Sequence, residues 1–299
     1  MKESGILYIV ATPIGNLEDI TARAVRVLGE VDMIAAEDTR HSRGLLTHFN
    51  IKTPMFSCHK FNEGKRGDFF IGALLEGRSV ALISDAGTPC ISDPGHRLVS
   101  LAAEAGIQIV AVCGASAVVA ALSVSGFDVS RFAFVGFLPR GKAAVKGLAE
   151  TLLHVKTVVF YESPRRIAAV LGLMKENIPS AQICLCNDIS KKFERIYRGT
   201  AEQVLEGILK NPAAEKGEYT CVVNLPEEDR EDNGTVLLSS VPLSSLPALE
   251  ARLVDIMIKT GCTLKDASRK LHEECEGLSK KEIYSAMLRL KDMFEVGDE

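Results

Sequence analysis

The chain has 299 residues, 46% of them hydrophobic and 25% charged, and a formal net charge of −4. These fractions exclude a disordered, collagen-like or strongly basic chain, and the length calls for at least two domains rather than one core. The opening MKESGILYIVATP shows no basic leader, long apolar stretch or cleavage site, so the expected location is the cytoplasm.

β-Branched runs predict strands over Ile6–Ala11, Met33–Ala36, Val80–Ser84 and Gln108–Val112, and again over Phe132–Phe137, Thr157–Tyr161, Gln182–Cys186 and Tyr219–Leu225. Helical periodicity falls between most of them, as in Pro94–Ala105 and Pro164–Lys175, so the fold class is α/β. The break near Phe127–Arg131 divides the strands into an N-terminal α/β domain, 1–128, and a second one, 129–226. Ala105 to Phe127 is uncharged and long enough to span a bilayer. Glycines and serines interrupt it, however, and it reads as strand, loop and helix, so no membrane partner is expected.

Residues 227–246 are acidic, then Ser/Pro-rich and aperiodic, which predicts a linker. From 247 to 299 the pattern is helical. Thr263 with Asp266 and Ser279 with Glu282 resemble capping boxes, in which hydroxyl and carboxylate satisfy free N–H groups at a helix start. Leu264, Ala267 and Leu271 make one apolar stripe, Ile283 and Ala286 belong to another, and a turn at Gly277 would give a helix-turn-helix. Residues 130–225 carry 14 Lys/Arg against 9 Asp/Glu between two acidic ends. Lys191, Lys192, Arg195 and Arg198 are the densest part of that basic section. They are candidates for contact with a polyanion or, equally, a solvated face.

The eight cysteines are scattered without a CxxC pair, so reduced core thiols are expected. No Cys/His spacing supports a metal. Three loops follow predicted strands: Thr12-Pro13-Ile14-Gly15-Asn16, Ser84-Asp85-Ala86-Gly87-Thr88-Pro89, and Cys113-Gly114-Ala115-Ser116. Ligands of open α/β sheets bind beyond such strand ends. Asp85 is placed to hold a ribose hydroxyl or a charged group, whereas Asp93 before Pro94 has the form of a helix N-cap. No two glycines lie two residues apart, so a GxGxxG dinucleotide site is absent. Gly136 to Ala143 nearly forms a P-loop but lacks the Ser/Thr after Lys142. Glu37-Asp38-Thr39-Arg40-His41 gathers five polar groups at one turn, either a site or an N-cap with local ion pairs.

ATPIGNLEDIT, AAEDTR, SDAGTPCISDPG, FVGFLPR, FYESPRR, YRGT and KGEY together resemble the tetrapyrrole-methylase superfamily. They resemble most its ribosomal branch, the 16S rRNA cytidine-2′-O-methyltransferases, over about Leu7 to Leu225 and into the helical tail. The resemblance implies two α/β domains of that type clasping S-adenosyl-L-methionine, usually in a homodimer, and explains the missing GxGxxG. By motif position, Pro13, Asp85, Ala86, Gly87, Ile91, Ser116 and Ala117 would line the cofactor site from the first domain. Tyr161, Glu162 and Glu218, in the Lys216-Gly217-Glu218 turn, would line it from the second. The chain departs from the family at Cys113-Gly114-Ala115, at Asn187-Asp188 and within Ser57 to Glu63.

The implied reaction is in-line methyl transfer to a cytidine 2′-hydroxyl in the decoding region of 16S rRNA, with the small ribosomal subunit as partner. Candidates for polar catalytic duty are Glu37, Asp38 and His59, with Arg40 orienting a phosphate or carboxylate. Two alternatives stay open: methylation of a corrinoid or porphyrin, and a non-enzymatic RNA-binding factor with a vacant cofactor fold.

Overall fold

The computed structural model describes residues 4–60, 62–226, 248–260, 262–274 and 278–295. It divides into two compact bodies, Met1–Glu227 and Glu228–Glu299. The predicted linker and Gly277 lie outside the described residues.

The larger body holds two five-stranded sheets. The first comprises β1 (Ile6–Val10), β2 (Met33–Ala36), β3 (Met55–Ser57), β4 (Val80–Ile83) and β5 (Gln108–Val112), in the order β3-β2-β4-β1-β5 and parallel throughout. Its central strands β2 and β4 are buried at every position, which is why they read as unbroken apolar runs. Successive side chains alternate between two cores. Met33, Ala35 and Leu82 join Phe70 of α3 (Glu63–Leu75) and Leu98 of α4 (His96–Glu104) on one face. Ile34, Ala36, Ala81 and Ile83 meet Ala24, Val27 and Leu28 of α1 (Ala22–Glu30) and Leu46 of α2 (Thr39–His48) on the other.

α5 (Ala117–Ser125) leads to the second sheet, made of β6 (Phe132–Phe137), β7 (Thr157–Glu162), β8 (Gln182–Asn187), β9 (Arg195–Thr200) and β10 (Tyr219–Asn224) in the order β6-β7-β10-β8-β9. Only β6 and β7 pair in parallel; every later pairing is antiparallel. Val118, Ala121 and Leu122 of α5 pack on Val159, Cys184, Cys186 and Val222, so these cysteines serve as small core residues. α6 (Lys142–His154), α7 (Pro164–Asn177) and α8 (Ala201–Leu209) complete the body. Thr200 and Gln203 cap α8 reciprocally.

In the smaller body, α9 (Ala248–Thr260), α10 (Leu264–Glu274) and α11 (Lys280–Glu295) surround Leu253, Ala267, Leu271, Ile283 and Ala286. At the start of α11 the Glu282 amide donates to Ser279 Oγ at 3.3 Å and the Ser279 amide to the Glu282 carboxylate at 3.0 Å. At α10 the Asp266 amide donates to Thr263 Oγ1 at 3.3 Å.

Two edge strands escape the sequence pattern, β3 with three residues and β9, which carries Arg195 and Arg198. A third difference bears on the site. The helix expected from Pro94 begins at His96 with Gly95 as its N-cap, at φ +124°. Asp93 is therefore not the cap. A Cβ on Gly95 would lie 2.6 Å from Leu82 Cδ2 and 3.0 Å from Cys90 Sγ. Gly95→Ala should accordingly lower the unfolding free energy by about 2–4 kcal/mol, from backbone strain and overpacking together, measurable by denaturant titration.

Candidate active site

The loops that leave β1, β4 and β5 meet at the carboxyl edge of the first sheet. Thr12 and Gly87 exchange backbone hydrogen bonds in both directions, at 2.9 and 3.0 Å. Thr12 Oγ1 also donates to Ser84 O at 3.3 Å, and Thr88 Oγ1 to Ala115 O at 3.3 Å. Gly87 adopts φ +77°, and a Cβ there would lie 3.3 Å from Ile14 Cγ2. The absent side chain is what lets the two loops close on each other.

These loops and the ends of β7, β8 and β10 enclose a cavity of about 360 Å³. Ala86, Gly87, Ile91, Ser116, Ala117, Tyr161, Glu162 and Glu218, all expected at the cofactor, line it. Pro13 and Asp85 do not; they line a smaller neighbouring cavity of about 230 Å³. Ile14, Ala86, Lys191 and Glu218 are common to both. Asp93, which the sequence assigned to a helix cap, stands in the wall of the larger one. It is held in a loop where Cys90 and Ser92 take φ of +71° and +66°. Burial, reinforced by Glu37, raises its carboxyl to about 6. Burial likewise raises Tyr161 to about 12, with Asp93 adding to the effect.

The four residues expected to do polar catalytic work are spread along the same sheet edge. Glu37 accepts from the Asp85 amide at 3.4 Å, and Asp85 in turn accepts from the Asp38 amide at 3.1 Å. Burial raises the Glu37 carboxyl, and the Asp85 hydrogen bond opposes it. Asp38 caps α2 through the Arg40 amide at 2.8 Å. The Arg40 side chain, 88% exposed, pairs with the same carboxylate at 2.9 Å and holds it down at about 2. His59 follows edge strand β3, its amide donating to Asn62 Oδ1 at 2.8 Å. It lines neither cavity.

The basic group proves to be three different environments. Lys191 points inward, its Nζ 2.8 Å from Glu218 and 3.1 Å from Asp188, with its stem across Gly15. Burial opposes its charge, but the two carboxylates more than compensate and raise its pKa. Arg198 donates to Val124 O at 2.5 Å. Lys192, over the Phe193 ring at 5.6 Å, and Arg195 remain on the exposed surface. Ser190, beside Lys191, donates to the Asp19 carboxylate and so ties the two sheets' loops together.

Asp93, Glu162, Asp188 and Glu218 give the larger cavity four carboxylates, against Lys191 as its basic side chain among the described residues. Arg166, 3.1 Å from Glu162, neutralises one from behind while donating to Leu138 O and Pro139 O. The remaining negative balance suits a cationic ligand. Ile14, Ile91, Phe137 and Ile189 offer apolar surface for an aromatic ring. A sulfonium with an adenine and an amino group fits this donor set. In S-adenosylmethionine, Asp93 and Glu218 would face the positive groups.

The family model for Tetrapyrrole (Corrin/Porphyrin) Methylases matches residues 6–205. The chain belongs to this family of S-adenosylmethionine-dependent methyltransferases. The ribosomal RNA small subunit methyltransferase I of Halalkalibacterium halodurans is 40% identical to it over 285 residues, 95% of this chain and 94% of that one. The Escherichia coli O157:H7 protein of the same name is 38% identical over 96% of each chain. Among solved structures, diphthine synthase aligns with TM-score 0.58 at 14% identity, over 74% of this chain and 90% of that one. Uroporphyrin-III C-methyltransferase from Thermus thermophilus, complexed with S-adenosyl homocysteine, aligns at 0.52 and 18%, over 74% and 97%. Both share the fold.

Asp93 gives a signed test. A carboxyl whose pKa is raised on folding leaves stability intact below the unfolded value and costs stability as pH climbs from 3.8 through about 6. Asp93→Asn should therefore raise Tm at pH 8 by roughly 2–4 °C, taking about 1 kcal/mol after solvent screening. Thermal scans should show that gain vanish as pH falls below about 4.

Proposed function

We propose that this protein methylates the ribose 2′-hydroxyl of a cytidine in the decoding region of 16S rRNA, acting on the small ribosomal subunit in the cytoplasm. What supports this reading over tetrapyrrole methylation is the reach of the similarity. The Thermus uroporphyrin-III enzyme is covered almost whole by 74% of this chain, whereas the Halalkalibacterium and Escherichia ribosomal RNA relatives extend over 95–96% of it and so take in the C-terminal helices, and others of the same name extend over 75–85%. A tail shared with those two full-length relatives and surplus to the porphyrin enzyme is economically explained as part of RNA recognition.

When bound, S-adenosylmethionine would supply a methyl carbon on a positively charged sulfur, which would leave as a neutral thioether as the acceptor oxygen takes the methyl group and its proton passes to a general base or to water. The protein's main task is alignment, which contributes roughly 7–11 kcal/mol. A general base adds about 10²–10⁴ in rate, roughly 3–5 kcal/mol. Glu37 acts through Asp85, bracing its loop, and is a positioning residue. Arg40, at the rim and already charge-paired, is placed for a phosphate. The exposed apolar side chains Val119, Val124 and Phe132 suit a face covered by a second copy, as a homodimer requires. No helix among the described residues is long and apolar enough to cross a membrane.

The deciding measurement is labelled methyl transfer to small subunits lacking the modification, with mass spectrometry of nuclease fragments. A 2′-O-methylated cytidine is expected; methylated tetrapyrrole with unmodified RNA would overturn the reading. Calorimetry with S-adenosylmethionine separates both enzymes from a vacant RNA-binding fold, which would give no heat.

The exposed cations give a second expectation. If Lys192 and Arg195 meet phosphates, replacing both by Gln should flatten the salt dependence of subunit binding by roughly 1.4 log units per log unit of salt. Cofactor affinity should stay as it is. An unchanged slope would make them a solvated face.

A further inference from the structure

The smaller cavity lies between the Thr12–Leu17 turn, the first two turns of α2 and the Ser84–Ala86 loop. Pro13, Leu17 and Leu45 give it apolar walls; His41, Ser42 and Asp85 give it polar ones. Its volume of about 230 Å³ suits one nucleoside and is too small for a tetrapyrrole macrocycle.

Ser42 distinguishes this cavity from a surface dent. The residue is 3% exposed, yet its hydroxyl has no hydrogen-bond partner among the described residues. Hydroxyls inside helices ordinarily donate to the carbonyl four residues back, as Thr151 does to Gly147 at 2.8 Å and Ser285 to Lys281 at 3.0 Å. Ser42 does not, although its own amide donates to Asp38 O at 3.0 Å. A buried hydroxyl left without a partner is rare, and the residue that carries it lines the cavity. Asp85 adds an acceptor: one carboxylate oxygen takes the Asp38 amide, and the other has no hydrogen bond among the described residues. Carboxylates read the exocyclic amino group of cytosine, and bases of single-stranded RNA loops can be splayed out into such a pocket and hydrogen-bonded on their edges.

Building on the methyl-transfer reading, we propose that this smaller cavity is the acceptor site. It receives one flipped-out cytidine, with Ser42 and Asp85 on the edge of the base. The ribose then meets the methyl donor where the two cavities adjoin, at Lys191 and Glu218. The base is held by the first sheet alone, whereas the cofactor is held by both.

Three variants test this, each first checked for wild-type Tm and then measured for S-adenosylmethionine affinity by calorimetry and for methylation of unmodified small subunits. Leu45 is only half-buried, so Leu45→Trp can fill the cavity without disturbing a core; it should keep cofactor affinity and lose more than about tenfold in methylation. Ser42→Ala should raise KM for subunits by about 2–10-fold, the worth of one hydrogen bond, with cofactor affinity unchanged. Asp85→Asn should narrow the preference for cytidine over uridine at the target position. A folded Leu45→Trp protein that methylates at the wild-type rate would overturn the acceptor site. So would a loss of cofactor affinity in parallel with activity, which would assign the cavity to the cofactor. Wild-type protein that binds S-adenosylmethionine but leaves the subunit unmodified would instead overturn the methyl-transfer reading, and the acceptor site with it.

Discussion

The two-way backbone pairing of Thr12 with Gly87 is the constraint on which the rest of the site depends. Parallel strands leave their carboxyl ends as separate loops, free to diverge. Here the loops after β1 and β4 form one isolated antiparallel bridge, so they become a single rigid lip. Ile14 packs against Gly87, Ser84 and Ala115 receive hydroxyl hydrogen bonds from the same lip, and the two cavities open on either side of it. Site residues held by rigid backbone need little reordering when a ligand arrives.

Electrostatics divides the labour between the two sheets. The second sheet brings Glu162, Asp188 and Glu218 to the larger cavity, together with the lysine that partly neutralises them. Asp188 can approach the turn before β10 because Gly217 lacks a side chain: a Cβ there would lie 2.1 Å from a carboxylate oxygen. The first sheet contributes Asp93, and Glu37 and Asp85, whose carboxylates accept from the Asp85 and Asp38 amides, with the Asp38–Arg40 ion pair outside them. The larger cavity thus takes carboxylates from both sheets.

Most of this was legible in the sequence because buried strands write long apolar runs and strand-end loops write glycine and proline. β2, β5 and β6 have the predicted bounds. β3 was invisible because three residues carry no period, and β9 because its edge position admits Arg195 and Arg198 into a strand. Asp93 was misplaced for a definite reason. Asp-Pro is a common helix opening, but Gly95 takes a backbone conformation that delays the helix and turns Asp93 to the cavity. The four cations looked alike in sequence; contacts with Glu218, Asp188 and Val124 separate them, and contacts between distant strands leave no local pattern. Ser42 gave no signal at all, since a serine inside TRHSRGLL reads as ordinary helix surface.

Lys191 is a wall of both cavities, and its two ion pairs are with carboxylates of the larger one. A positive ligand beside Glu218 would compete with Lys191 for that carboxylate, and so would act on the wall that the two cavities have in common. Thermodynamic reciprocity then applies: whatever the first ligand does to the affinity of the second, the second does equally to the first. Any communication between the two chambers therefore has an ion pair, Lys191 with Glu218, through which to pass.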